Sequence, residues 1–184
     1  MVLASSSSQS KCHTIQLTSL TSTTIQSLPK SAQHIIRDLE TLKGRINLNR
    51  IKWCIVDPQE LRQGEGPLCI HNLDESCPDL LVSYDRSCVI IEVKEPEEVK
   101  DIYEASDYVE TAIRQLKGRC SQIVQEECNC NVKGRLIYLR SRKVGKGKIV
   151  ESLRKIAKNE GCLIVFNDRE LQSILYKLLR CEKL

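Results

Sequence analysis

The sequence predicts an α/β domain built on a mixed sheet. Three observations predict it. The elements run helix, three strands, helix, strand, helix, strand, helix. Two short apolar runs, Leu80 to Ser83 and Cys88 to Val93, flank the polar turn Tyr84-Asp85-Arg86-Ser87, as a β-hairpin does. Strands then alternate with helices late in the chain, which implies parallel neighbours and a sheet covered on both faces.

Taken in order, residues 1–28 form a Ser/Thr-rich segment with no acid before Asp38, expected to be flexible or loosely attached. Ile15 and Leu17 alternate there with polar residues, the pattern of a short edge strand. Residues 29–184 are expected to form a single domain. Pro29 opens a helix whose Ile35, Ile36, Leu39 and Leu42 recur at helical spacing, with Gly44 as its stop. Ile51 to Val56 reads as a strand ended by Asp57-Pro58, and Gly64 and Gly66 mark a connection before a short strand at Cys69-Ile70. After the hairpin, Glu95-Pro96-Glu97-Glu98 places acids where a helix N-terminus favours them. A long helix follows, with Ala105, Val109, Ala112 and Leu116 on its apolar face and an interruption at Gly118. Arg135 to Arg140 is a strand, Ile149 to Asn159 a helix, and Cys162 to Phe166 an apolar strand. The last helix starts at the Asn167-Asp168 cap signal.

Composition narrows the classes of function. With 184 residues, 41% hydrophobic and 28% charged, the chain can bury a sizeable core. One Trp and one Phe leave that core to Ile, Leu and Val, and leave too few aromatics for a platform that stacks single-stranded bases. No run is long enough to span a membrane, and no secretory start is evident, so an intracellular, cytoplasmic protein is expected. Gly145-Lys146-Gly147-Lys148 lacks P-loop spacing, and His13, His34 and His71 show neither ligand spacing nor a nucleophile partner. The ten cysteines contain no CxxC pair. Those in predicted strands, Cys54, Cys88 and Cys162, read as small buried apolar residues; an iron–sulfur cluster and intracellular disulfides are the alternatives.

The net charge of +4 is mild, but its distribution is uneven. Lys133, Arg135, Arg140, Arg142, Lys143, Lys146, Lys148 and Arg154 fall in one segment, whereas acids dominate Glu92 to Glu110. A cationic region suits phosphates, and Arg140, Arg142, Lys143, Lys146 and Lys148 are the candidate nucleic-acid contacts. Within the hairpin, Asp79 opens the first strand while Glu92 and Lys94 close the second. Side chains two apart on a strand share a face. An acid and an amine side by side on an otherwise apolar strand are there to be paired or used.

Pro78-Asp79 followed by Ile91-Glu92-Val93-Lys94 resembles the signature of the PD-(D/E)xK nuclease superfamily. That superfamily includes many restriction endonucleases, Holliday-junction resolvases and RecB-like exonucleases. The resemblance spans Pro29 to Arg140 and implies a restriction endonuclease-like core (αβββαβ), here with a C-terminal helix-strand-helix extension. It implies a metal-dependent DNA nuclease in which Asp79, Glu92 and the Val93 carbonyl hold Mg²⁺, with Mn²⁺ able to substitute. Lys94 would assist the attacking water. The first-helix acid of many members has its match in Glu40, with Asp38 behind it, and the glutamine of RecB-like members in Gln115. The tyrosine those members carry four residues later is Arg119 here, a departure from that subgroup. A homodimer acting on two DNA strands is a further implication. The alternative is a non-catalytic nucleic-acid-binding or interaction protein that keeps the nuclease fold.

Overall fold

The computed structural model describes residues 14–57, 76–96, 99, 101–141 and 147–180. The elements, in chain order, are β1 (Ile15–Gln16), α1 (Ser22–Ser27), α2 (Lys30–Glu40), β2 (Ile51–Ile55), β3 (Leu80–Tyr84) and β4 (Ser87–Lys94). They continue with α3 (Ile102–Lys117), α4 (Arg119–Glu127), β5 (Asn131–Leu139), α5 (Lys148–Asn159), β6 (Leu163–Val165) and α6 (Asp168–Leu179). The six strands form one mixed sheet in the order β1-β2-β3-β4-β5-β6. The first four are antiparallel neighbours, and β5 and β6 join parallel.

The hairpin is built as its alternation dictates. Val89, Ile91 and Val93 enter one apolar cluster with α2 and α6, whereas Cys88 and Ile90 enter a second with α3, α4 and α5. Each face therefore has its own helical layer, and Ile51, Trp53, Leu80, Leu81, Ile90 and Ile91 are almost wholly removed from water. Burying side chains of this kind contributes about 1.5–3 kcal/mol apiece. The turn holds Asp85 at a positive φ of 55°, a conformation Asp tolerates, and Arg50 clamps its carboxylate with a 2.7 Å bond from Nε.

Three expectations need correction. The N-terminal segment is not loosely attached over Thr14 to Leu28: β1 pairs with β2, and Leu17, Ile25 and Leu28 are buried in the α2/α6 cluster. The third helix does not open on the acidic run at Glu95. It begins at Ile102, because Asp101 accepts hydrogen bonds from the backbone N–H groups of Tyr103 and Glu104, both at 2.9 Å. Cys54, Cys88 and Cys162 are buried as expected, but of the three only Cys162 keeps a free thiol; Cys54 and Cys88 follow the disulfide alternative. Cys77 bonds Cys120, Cys88 bonds Cys130, and Cys54 and Cys128 are also disulfide-bonded, while Cys162 is free. The expected turn at Gly64 and Gly66, the strand at Cys69-Ile70, and Met1 to His13 lie outside the described residues.

Gly118, in extended backbone (φ −67°, ψ 174°), separates α3 from α4, and the position admits only glycine. A Cβ there would sit 2.9 Å from the backbone oxygen of Arg114, closer than real contacts allow. The break lets α4 turn away and bring Cys120 to Cys77, two residues before Asp79. Among the described residues, no helix is long and apolar enough to cross a membrane.

Candidate active site

The antiparallel order places the end of β2, the start of β3 and the end of β4 at one edge of the sheet. Asp57, Asp79 and Glu92 stand at those three positions. β3 pairs with β4 only as far as Leu80 opposite Ile91. Beyond that point side chains replace the ladder. The Val93 N–H donates to Asp79 Oδ2 at 2.6 Å, and the Asp79 N–H donates to Glu92 Oε2 at 3.2 Å. Each strand end thus supplies a backbone donor to the other's carboxylate, which fixes both acids.

Glu92 is 1% exposed and Asp79 7%. Lys94 Nζ lies 2.5 Å from Glu92 Oε1 and donates to Gln115 Oε1 at 2.7 Å. Gln115, on α3, in turn donates from Nε2 to the Cys77 carbonyl at 2.9 Å. A chain of contacts therefore runs from Glu92 through Lys94 and Gln115 to the segment that carries Asp79. Burial pushes the Glu92 carboxyl up to about 7, against the pull of the Lys94 ammonium and the Asp79 N–H; the charge of Asp57 adds to the rise. Removing the relay has a measurable cost. Gln115→Leu leaves the Cys77 carbonyl without its buried donor and is expected to lower stability by about 1–3 kcal/mol, read by urea denaturation.

The structure thus gathers Asp79, Glu92, Lys94, Gln115 and the Val93 backbone into one group. Glu40 is exposed at the end of α2, and among the described residues no hydrogen bond or ion pair joins it to that group. Asp38 is the buried acid of α2, but its Oδ1 accepts from Gln172 of α6 at 2.8 Å, on the other face of the sheet. Arg140 lies at the C-terminal end of β5, its N–H donating to the Lys94 carbonyl at 2.8 Å, and Lys148 is exposed at the start of α5. Arg142, Lys143 and Lys146 lie outside the described residues. His34, on α2, contacts Arg140 and Glu95. Asp57 is the residue that sequence reading passed over as a strand stop; three acids at successive strand ends on one edge were its signal.

The donor set is all oxygen, which suits Mg²⁺ or Mn²⁺ and not a soft metal. Successive residues of a strand direct their backbone groups to opposite sides. The Lys94 carbonyl faces β5, so that of Val93 faces Asp79. Among the described residues no three His, Cys, Asp or Glu side chains are grouped to hold a metal ion. A site of two carboxylates, one carbonyl and retained waters fits what Mg²⁺ takes.

No family model matches the chain, and no curated protein matches it in sequence. Among solved structures, it is similar to the small subunit of the heterodimeric restriction endonuclease R.BspD6I. The identity is 18% and the TM-score 0.28, over 80% of this chain and 89% of that one. A likeness at that level establishes neither family nor activity for this chain.

Proposed function

We propose that this chain is a metal-dependent DNA nuclease of the PD-(D/E)xK type. The observation that carries the reading is the pairing of buried Glu92 with half-buried Lys94, locked to Asp79 where the β3–β4 ladder ends. Burying charges is costly, and replacing such a pair with apolar residues is often neutral or stabilising. Its placement at the mouth of a sheet, beside a second acid, points to use rather than to structure.

Asp79, Glu92 and the Val93 carbonyl would hold Mg²⁺ or Mn²⁺. The bound ion would supply charge neutralisation at the phosphate and a water acidified enough to attack. The remaining work belongs to the chain. Lys94, released in part from Glu92, donates to the attacking water or to a non-bridging phosphate oxygen as charge develops there. Gln115 is a positioning residue that keeps the ammonium aimed at the edge. Arg140 and Lys148 meet the phosphates flanking the scissile bond. DNA is the partner this reading requires. A homodimer would present two such sites to two strands, and size-exclusion chromatography with light scattering measures that state.

The test is cleavage of end-labelled duplex, tailed, junction and single-stranded DNA with Mn²⁺, with Mg²⁺ and with chelator. Cleavage of at least one form, lost with chelator, supports the reading. One observation favours a non-catalytic nucleic-acid-binding protein instead: Glu92 already has Lys94 and the Asp79 N–H as partners. Salt-sensitive binding with no cleavage of any form would decide for it.

A further inference from the structure

The charged groups of α2 and α6 are used unequally. Asp38 accepts from Gln172, Asp168 from the Tyr138 hydroxyl, and Glu170 from Arg154 and the Phe166 N–H. Among the described residues, Glu40 is the acid of these two helices whose carboxylate has no such bond. Arg37, Lys43, Arg45, Arg169 and Lys177, by contrast, have no ion pair or side-chain hydrogen bond among the described residues, and all but Lys177 are exposed. The opposite layer is charged differently. There α3 exposes Asp107 and Glu110, and its Lys117 is paired with Glu160 at 2.7 Å.

Arg45 is held ready for an anion. Gly44, at a φ of 85°, reverses the chain after α2, and the Arg45 guanidinium lies over the Tyr176 ring of α6, 4.3 Å from its centroid. Tyr176 packs half-buried against the α2/α6 cluster, which fixes the ring as a support. Arg180 lies against the same ring at 5.4 Å and donates to its hydroxyl at 2.6 Å. Stacking covers the flat face of a guanidinium and leaves the N–H donors at its rim, in the fork that matches a phosphate. Two other stacked arginines have that fork filled: Arg50, over Tyr84, donates to Asp85, and Arg154, over Phe166, donates to Glu170. The Arg45 fork carries no carboxylate among the described residues. From Arg169 to Arg180 the last helix covers about 16 Å, the length of about five base pairs of duplex. Cations strung out over that distance fit a polyanion rather than one small ion.

We propose that the α2/α6 face is a second DNA-binding surface, on which Arg45, Lys43 and Lys177 meet backbone phosphates of a duplex away from the scissile position. Contacts of this kind position a duplex without reading its sequence. The proposal rests on the nuclease reading for the identity of the polyanion.

Fluorescence anisotropy with a labelled blunt duplex of about 20 base pairs, in chelator and across a salt series, tests it without cleavage. Arg45→Gln is expected to lower the steepness of log K against log salt by about one, and Arg45→Gln with Lys177→Gln by about two. The double variant should also bind about tenfold more weakly at low salt. Arg45→Lys keeps the slope, because the charge remains. Arg50→Gln, which alters a stacked arginine whose donors are already taken, should leave the slope unchanged. An unchanged slope in the double variant, or an equal loss in Arg50→Gln, overturns the proposal. So does polyglutamate binding as tightly as the duplex, which would assign the face to acidic peptides. The expected slopes in a protein that cleaves no DNA would keep the surface and remove the nuclease; metal-dependent cleavage with an unchanged slope in the double variant would do the reverse.

Discussion

Asp79→Asn, Glu92→Gln and Lys94→Met are each expected to lower metal-dependent DNA cleavage by about a thousandfold or more. The substitutions keep volume, so the loss would report on charge. The amide oxygen introduced by Asp79→Asn can still accept from the Val93 N–H, and that introduced by Glu92→Gln from the Asp79 N–H, which preserves the side-chain ladder at the strand ends. Far-ultraviolet circular dichroism and urea titration check that each variant folds. The Glu92 variant carries a second expectation with a defined sign. In metal-free buffer the native carboxyl titrates near 7 in the fold against an ordinary value of 4.5, so the folded state binds more protons between those values. Stability is fully present below about 4.5 and falls as pH rises through about 7. Glu92→Gln has no such titration, so the stability difference shifts in its favour as pH rises across that window. A variant that loses activity while gaining relative stability at high pH would mark Glu92 as retained for chemistry. Full activity in all three variants would remove the proposed site.

Cys77→Ser with Cys120→Ser, and Cys88→Ser with Cys130→Ser, are each expected to cost about 4 kcal/mol of stability. The disulfides close loops of similar length, with sequence separations of 43 and 42, so the loop-entropy relation gives them nearly equal weight. Their positions differ. Cys88 lies at the start of β4, opposite Val132, at the end of the strand away from Glu92. Cys77 lies two residues before Asp79, and its carbonyl receives the Gln115 side chain. Both pairs should therefore lower stability alike in urea titration, whereas only loss of Cys77–Cys120 should also lower cleavage at a temperature where both variants are folded. Equal effects on cleavage would separate the Cys77 tether from the site.

Much of this was legible in the sequence because it was local. Alternation fixed the hairpin and its inward residues, and the caps and periodicity of α6 fixed its span. Glu92 and Lys94 could be read as neighbours because residues two apart on a strand share a face, and they do pair. What depended on tertiary docking was not legible. Asp38 and Glu40 are two residues apart on α2, about 200° around the helix, so they flank its apolar stripe from opposite sides. Only the packing of α6, through Gln172, shows which of them is buried. The helix start at Asp101 was hidden by stronger-looking acids upstream. Cysteine spacing gave no pairing, because Cys77 meets Cys120 only through the turn at Gly118. Glu95 read as a helix-terminal acid, whereas the fold turns it towards Arg140 and His34.

The nuclease reading stands or falls on whether Asp79 and Glu92 hold a divalent cation. A crystal of the native protein soaked in Mn²⁺, with anomalous diffraction recorded at the manganese edge, answers that question without an activity assay. A single strong peak is expected between the two carboxylates and within reach of the Val93 carbonyl, with Lys94 drawn off Glu92 and still bonded to Gln115. No peak at saturating Mn²⁺, with Lys94 still seated on Glu92, would contradict the reading.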